Sequence, residues 1–148
     1  RSCPPTDDRC YFAVLDPDTL QPRAQLAAPA GTEVARLYGP LGGGRYLAGC
    51  EGPNGCCCFT LDAAHVAVPD AGALVPQPNG TRGIQPAHRA GLFVLHRGRR
   101  LELWDFRRRP RRLRVLVPRF TGYGYHVEGT AVYVKRPKEV VIYEDLLQ

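Results

Sequence analysis

HRGRRLELWDFRRRPRRLRVLVPRF, His96 to Phe120, is the stretch on which the reading of this chain turns. Its two short apolar runs, Leu101–Trp104 and Leu113–Val117, flank an arginine block broken by Pro110. Runs of this length, rich in branched residues and bounded by turn chemistry, predict two strands joined by a basic turn. The stretch holds ten arginines against two acids, Glu102 and Asp105. The remainder of the chain has ten basic and twelve acidic residues, so this segment alone turns a slightly acidic body into a chain of net charge +6. Concentrated charge of one sign predicts a polyanion partner: a sulfated glycan, nucleic acid or an anionic surface.

The same pattern of strand, turn and strand recurs along the chain. Tyr11–Pro29 reads as strand, Asp16-Pro17-Asp18 turn and second strand. Thr32–Cys50 reads as two strands about the Gly42-Gly43-Gly44 run. That run lacks the Lys-Ser/Thr and the helix of a phosphate-binding loop, so it is assigned to a turn. Three segments share one layout of glycine, apolar strand, turn, apolar strand and acid: Gly44–Asp62, Gly91–Phe106 and Gly129–Leu146. No stretch shows capped 3.6-residue periodicity. The expected fold is therefore all-β: a disulfide-pinned antiparallel sandwich or barrel of about 8–10 strands. The spacing of the three glycine-led segments makes blades of a β-propeller, or a fragment of one, the alternative.

At 148 residues the chain is expected to form one domain. It is read as a cysteine-bearing part, 1–65, a Pro/Gly-rich loop, 66–88, and a cysteine-free hairpin part, 89–148. The loop is expected to be exposed and open to proteolysis at Arg82 or Arg89. The six cysteines are Cys3, Cys10, Cys50, Cys56, Cys57 and Cys58. An even, clustered set without paired Cys-x₂₋₄-Cys spacing predicts disulfides rather than zinc. One bridge is expected from Cys50 to the Cys56–Cys58 cluster, with Cys3 and Cys10 tied to the remaining thiols. Asn79-Gly80-Thr81 is an N-glycosylation acceptor. Together with a first residue other than methionine, these features predict a secreted or ectodomain protein whose targeting segment has been removed. Eighteen arginines to two lysines is the bias of GC-rich coding, so the clustering carries more information than the count.

Catalytic chemistry is thinly represented. Ser2 is the sole serine, which argues against a serine hydrolase. The histidines His65, His88, His96 and His126 show no metal-ligand spacing. The one enzyme-like stretch is Thr121–Gly129, where extended backbone would put His126 and Glu128 on one strand face, as a ribonuclease would need for acid–base attack on a phosphodiester. No catalytic residue, metal or cofactor is assigned. The expected function is recognition of an extracellular protein, such as a receptor, cytokine or chemokine, as a viral host-interaction protein would do. Arg107, Arg108, Arg109, Arg111, Arg112 and Arg114 would add a glycosaminoglycan-binding segment. A secreted ribonuclease using His126 and Glu128 is one alternative. A single-stranded nucleic-acid module, with Trp104, Phe106 and Phe120 as stacking platforms, is another, disfavoured by the extracellular cues. Membrane insertion is not expected, because no apolar run approaches a spanning length.

Overall fold

A computed structural model describes residues 11–27, 34–52, 55–62 and 74–148. Among the described residues the chain is all-β, without a helix, and its strands form four small antiparallel sheets. It divides into two compact units, Arg1–Pro76 and Gln77–Gln148.

In the first unit, β1 (Tyr11–Leu15) pairs with β2 (Pro22–Ala27). The Asp16 carboxylate organises the turn between them. Its Oδ1 accepts the amide hydrogens of Asp18 and Thr19, and its Oδ2 pairs with Arg23 at 2.7 Å. The second sheet is a meander of β3 (Val34–Gly42), β4 (Arg45–Gly52), β5 (Gly55–Asp62) and β6 (Leu74–Val75). Leu41, Leu47, Ala48, Cys58 and Leu61 are buried. The β4–β5 register sets Cys50 opposite Cys57 and Cys56 opposite Glu51. Cys3 and Cys10 lie outside the described residues, and of Cys50, Cys56 and Cys57 only the backbone is described.

The second unit opens with a four-stranded meander: β7 (Thr81–Pro86), β8 (Leu92–Arg97), β9 (Arg100–Asp105) and β10 (Arg111–Val117). A three-stranded meander follows: β11 (Gly124–Glu128), β12 (Ala131–Lys135) and β13 (Val140–Tyr143). The two sheets share one core of Leu92, Val94, Leu101, Leu103, Leu116, Val117, Phe120, Val132, Val134 and Leu147. Alternation along β8, β9 and β12 supplies most of it, since every second side chain of a strand points to the same face. The Gln85 side chain stitches the sheets at one edge: its Nε2 donates to the Tyr125 carbonyl at 2.8 Å and its Oε1 accepts the Val127 N–H at 3.1 Å.

The structure corrects the expected picture in four places. Thirteen strands are present among the described residues, more than the 8–10 expected, and none of the four sheets closes into a barrel. The stretch 66–88 is not one long loop: its described part contains β6 and β7, and its residues 66–73 lie outside the described residues. TRGIQP has a single branched apolar residue, Ile84, so its alternation is invisible, yet it pairs with β8 along its length. Pro86 is tolerated because β7 is the last strand of its sheet, where an absent N–H costs no ladder bond. The Arg82 cleavage site is thereby placed inside a paired strand. Finally, simple alternation puts Leu113 and Val115 on one face of β10 with Val117. Instead the register against β9 slips twice, at Leu113 and at Leu116. Leu113 and Val115 remain 40% and 37% exposed, while the consecutive Leu116 and Val117 are both buried. Bulges of this kind place two residues against one and re-aim the side chains that follow.

That register has a measurable consequence. Leu116→Ala should lower the stability of the second unit by about 2–4 kcal/mol and Leu113→Ala by under about 1 kcal/mol. Urea unfolding followed through Trp104, the sole tryptophan, reads both. The reverse order of costs would show that β10 alternates without bulges.

Candidate anion-binding surface

On β9 the side chains of Leu101 and Leu103 enter the shared core, so Arg100, Glu102 and Trp104 face the other way. Antiparallel pairing brings arginines from both neighbours onto that second face. Arg97 of β8 lies opposite Arg100, and Arg112 of β10 lies opposite Trp104. At their centre is Glu102, with no solvent exposure at all. Its Oε1 accepts Arg97 Nε at 2.7 Å and Trp104 Nε1 at 3.1 Å. Its Oε2 accepts Arg112 Nη1 at 3.1 Å and lies 3.3 Å from Arg100 Nη2. Burial by itself would raise the carboxyl pKa, but hydrogen bonds from Arg97, Trp104 and Arg112 outweigh it and hold the group below its usual range. The Arg97 guanidinium also sits 5.6 Å from the Trp104 ring centre. The tryptophan is therefore half-buried, engaged on edge and face, rather than presented as an open stacking platform.

The six arginines expected to form the anion site fall into two groups. Three are engaged within the sheet. Arg107 grips Asp105 with two bonds, Nε to Oδ1 at 3.1 Å and Nη2 to Oδ2 at 2.8 Å, and its amide also donates to Oδ1 at 2.9 Å. The hydrogen bonds from Arg107 hold the Asp105 carboxyl below its usual range. The side chain of Arg107 passes so close over Gly91 that a Cβ there would lie 2.1 Å from its Cγ, and Gly91 has φ of +85°. Only glycine satisfies both conditions without strain. Arg112 is held by Glu102, and Arg114 donates to the carbonyls of Leu146 and Gln148. Arg108 and Arg109 are exposed on the β9–β10 loop, and Arg111 reaches Asp105 only at 3.9 Å.

A second arginine group lies at the other end of β9, where 97–100 turn from β8. Six strand residues separate the two ends by about 17 Å. A cleft of about 440 Å³ there is lined by Asn79, Gly80, Arg97, Gly98, Arg99, Arg100, Pro118 and Arg119. These arginines belong to the basic segment but not to the six residues expected to form the site. Arg119 is nineteen positions from Arg100, and only the β9–β10 pairing carries it back to the turn. The one local sign is a glycine enclosed by arginines, Arg97-Gly98-Arg99-Arg100, in a hairpin turn.

Asn79 is exposed, and its carbonyl accepts a bond from Arg97 Nη1 at 3.1 Å. His126 and Glu128 share the exposed face of β11 as expected, with Nε2 and Oε2 3.9 Å apart. They are 61% and 73% exposed and do not line the cleft. Compared with protein-family models, with curated proteins and with solved structures, the chain matches none.

Proposed function

We propose that this chain is a secreted or ectodomain β-protein that works by binding, recognising an extracellular protein and holding sulfated glycosaminoglycan on the β9–β10 loop. The observation that carries the reading is the electrostatic state of that loop. Arg108, Arg109 and Arg111 project into solvent, and the nearby carboxylate, Asp105, is already gripped by Arg107. Guanidinium groups stay charged at every physiological pH and match sulfate bidentately. Charges crowded within a Debye length of about 8 Å act together on a multivalent chain. For the protein partner, the support is apolar surface on a sheet edge: Val140 and Ile142 of β13 are both exposed.

An oxidising compartment is supported by the position of two cysteines. Facing residues of antiparallel strands have Cα atoms about 4.5–5.5 Å apart, within the roughly 4.4–6.8 Å that a disulfide spans. Cys50 and Cys57 face each other in this way, which supports Cys57 as the partner in the bridge proposed from Cys50 to the Cys56–Cys58 cluster. Alkylation of native protein without reductant should label none of the six cysteines, and Cys50→Ser should release a single thiol at Cys57. Two or more labelled cysteines in the native chain would contradict the disulfide-pinned fold. The finer architecture has a second reading. Consecutive meanders begin at Val34, Thr81 and Gly124, 47 and 43 residues apart. That interval and the all-next-neighbour pairing support propeller-like blades beside the sandwich.

Glycan binding is tested by heparin chromatography and by the salt dependence of heparin affinity. Replacing Arg108, Arg109 and Arg111 with alanine should reduce the slope of log K against log salt by about 2–3, one ion per lost contact. A control replacing Arg45, Arg82 and Arg89, which are exposed elsewhere, removes equal charge. Equal loss in both variants would mean that retention follows net charge and that the loop is not a site.

A further inference from the structure

The cleft at the β8–β9 turn is built differently from the exposed loop, and its construction points to a different ligand. Arg97 and Arg100 face each other across a two-residue turn, Gly98-Arg99. Gly98 has φ of +59° and Arg99 is not in the left-handed region. That is the pattern of a type II′ hairpin turn, which wants glycine first. Neighbouring segments are fastened to this turn from both sides. The Gly98 N–H donates to the Gly80 carbonyl at 3.1 Å, and the Phe120 N–H donates to the Arg99 carbonyl at 2.7 Å. Asn79-Gly80 and Pro118-Arg119 are thereby held as the walls of the cleft.

Four arginines line this space, and their charge is not balanced. Glu102 engages Arg97 and Arg100, but it also serves Arg112. One negative charge thus faces three positive ones before Arg99 and Arg119 are counted. Those two are exposed and make no ion pair among the described residues. Arg97 and Arg100 are oriented by the carboxylate, whereas Arg99 and Arg119 are available to close on a ligand. Four arginines around a volume of about 440 Å³ suit a compact anion with several acceptor oxygens, and the space is large enough for a sugar-sized group to follow it.

We propose that the cleft lined by Arg97, Arg99, Arg100 and Arg119 binds one phosphate or sulfate monoester group. The site is separate from the β9–β10 loop and does not depend on the glycan reading of that loop. Arginine side-chain Nε–Hε resonances, followed by NMR on protein made without glycosylation, report each guanidinium individually. Glucose 6-phosphate and glucose 6-sulfate are the two probes, titrated at about 0.15 M NaCl to suppress diffuse attraction. Saturable shifts at Arg97, Arg99, Arg100 and Arg119 with at least one ester are expected. Saturation by the phosphate alone assigns a phosphoester, saturation by the sulfate alone assigns a sulfated sugar, and saturation by both assigns the shared oxyanion chemistry. Arg99→Ala with Arg119→Ala should weaken binding by about tenfold or more, while Arg108→Ala with Arg109→Ala should change it by less than about twofold. Shifts that rise linearly with both esters, or equal weakening in the two double variants, would overturn the site. Heparin retention that still depends on Arg108, Arg109 and Arg111 in that event would leave the loop reading standing.

Discussion

One fully buried carboxylate, Glu102, makes the basic face of this sheet possible. Three arginines on adjacent strands of one sheet would repel one another, and a single carboxylate with two acceptor oxygens engages all three. An ionised group removed from water costs several kcal/mol unless its lone pairs are met, and here three hydrogen-bond donors from β8, β9 and β10 meet them, with Arg100 paired beside them. Glu102 faces Leu95 on one side and Val115 on the other, in the middle of the sheet. Its loss would leave uncompensated positive charge in the middle of the sheet.

The consequence is a division of labour among ten arginines that look alike in sequence. Arg107, Arg112 and Arg114 tie loop, sheet and residues 146–148 together. Arg108, Arg109 and Arg111 stay in water at one end of β9, while Arg97, Arg99, Arg100 and Arg119 surround a cleft at the other. The bulges in β10 contribute to this arrangement. By absorbing Leu113 and Leu116 as extra residues they let Leu116 and Val117 both enter the core, while Arg112, ahead of both bulges, keeps the register that brings it to Glu102.

Much of the strand pattern was legible from residues alone. The hairpins at Gly91–Phe106 and Gly129–Leu146 have dense branched residues and glycine-marked starts, and they became β8–β9 and β12–β13. The Asp16 turn and the triple-glycine turn were equally plain, because turn chemistry is local. What stayed hidden depends on partners. β7 contains one branched apolar residue and owes its existence to pairing with β8 and to the Gln85 bridge. The β10 register could not be read from alternation, since a bulge leaves no composition mark. Glu102 resembles any charge in a basic stretch until three strands bring three hydrogen-bond donors and a further arginine to it. The arginine cleft was missed for the same reason: its members are joined across the sheet and not along the chain.

The central claim, that an ionised Glu102 holds the arginine face together, is tested most directly by comparing the native chain with Glu102→Gln across pH. Its folded pKa is depressed from an ordinary value of 4.5, so its contribution is complete above that value and disappears as pH falls through the lower native one. At pH 7 the variant should be less stable by about 3 kcal/mol, the low end for a broken buried pair because the arginines keep partial contact with water. The difference between the two proteins, followed by urea unfolding, should shrink toward zero as the solution is acidified below the native pKa. A difference near zero at neutral pH, or one that persists unchanged into acid, would contradict the account.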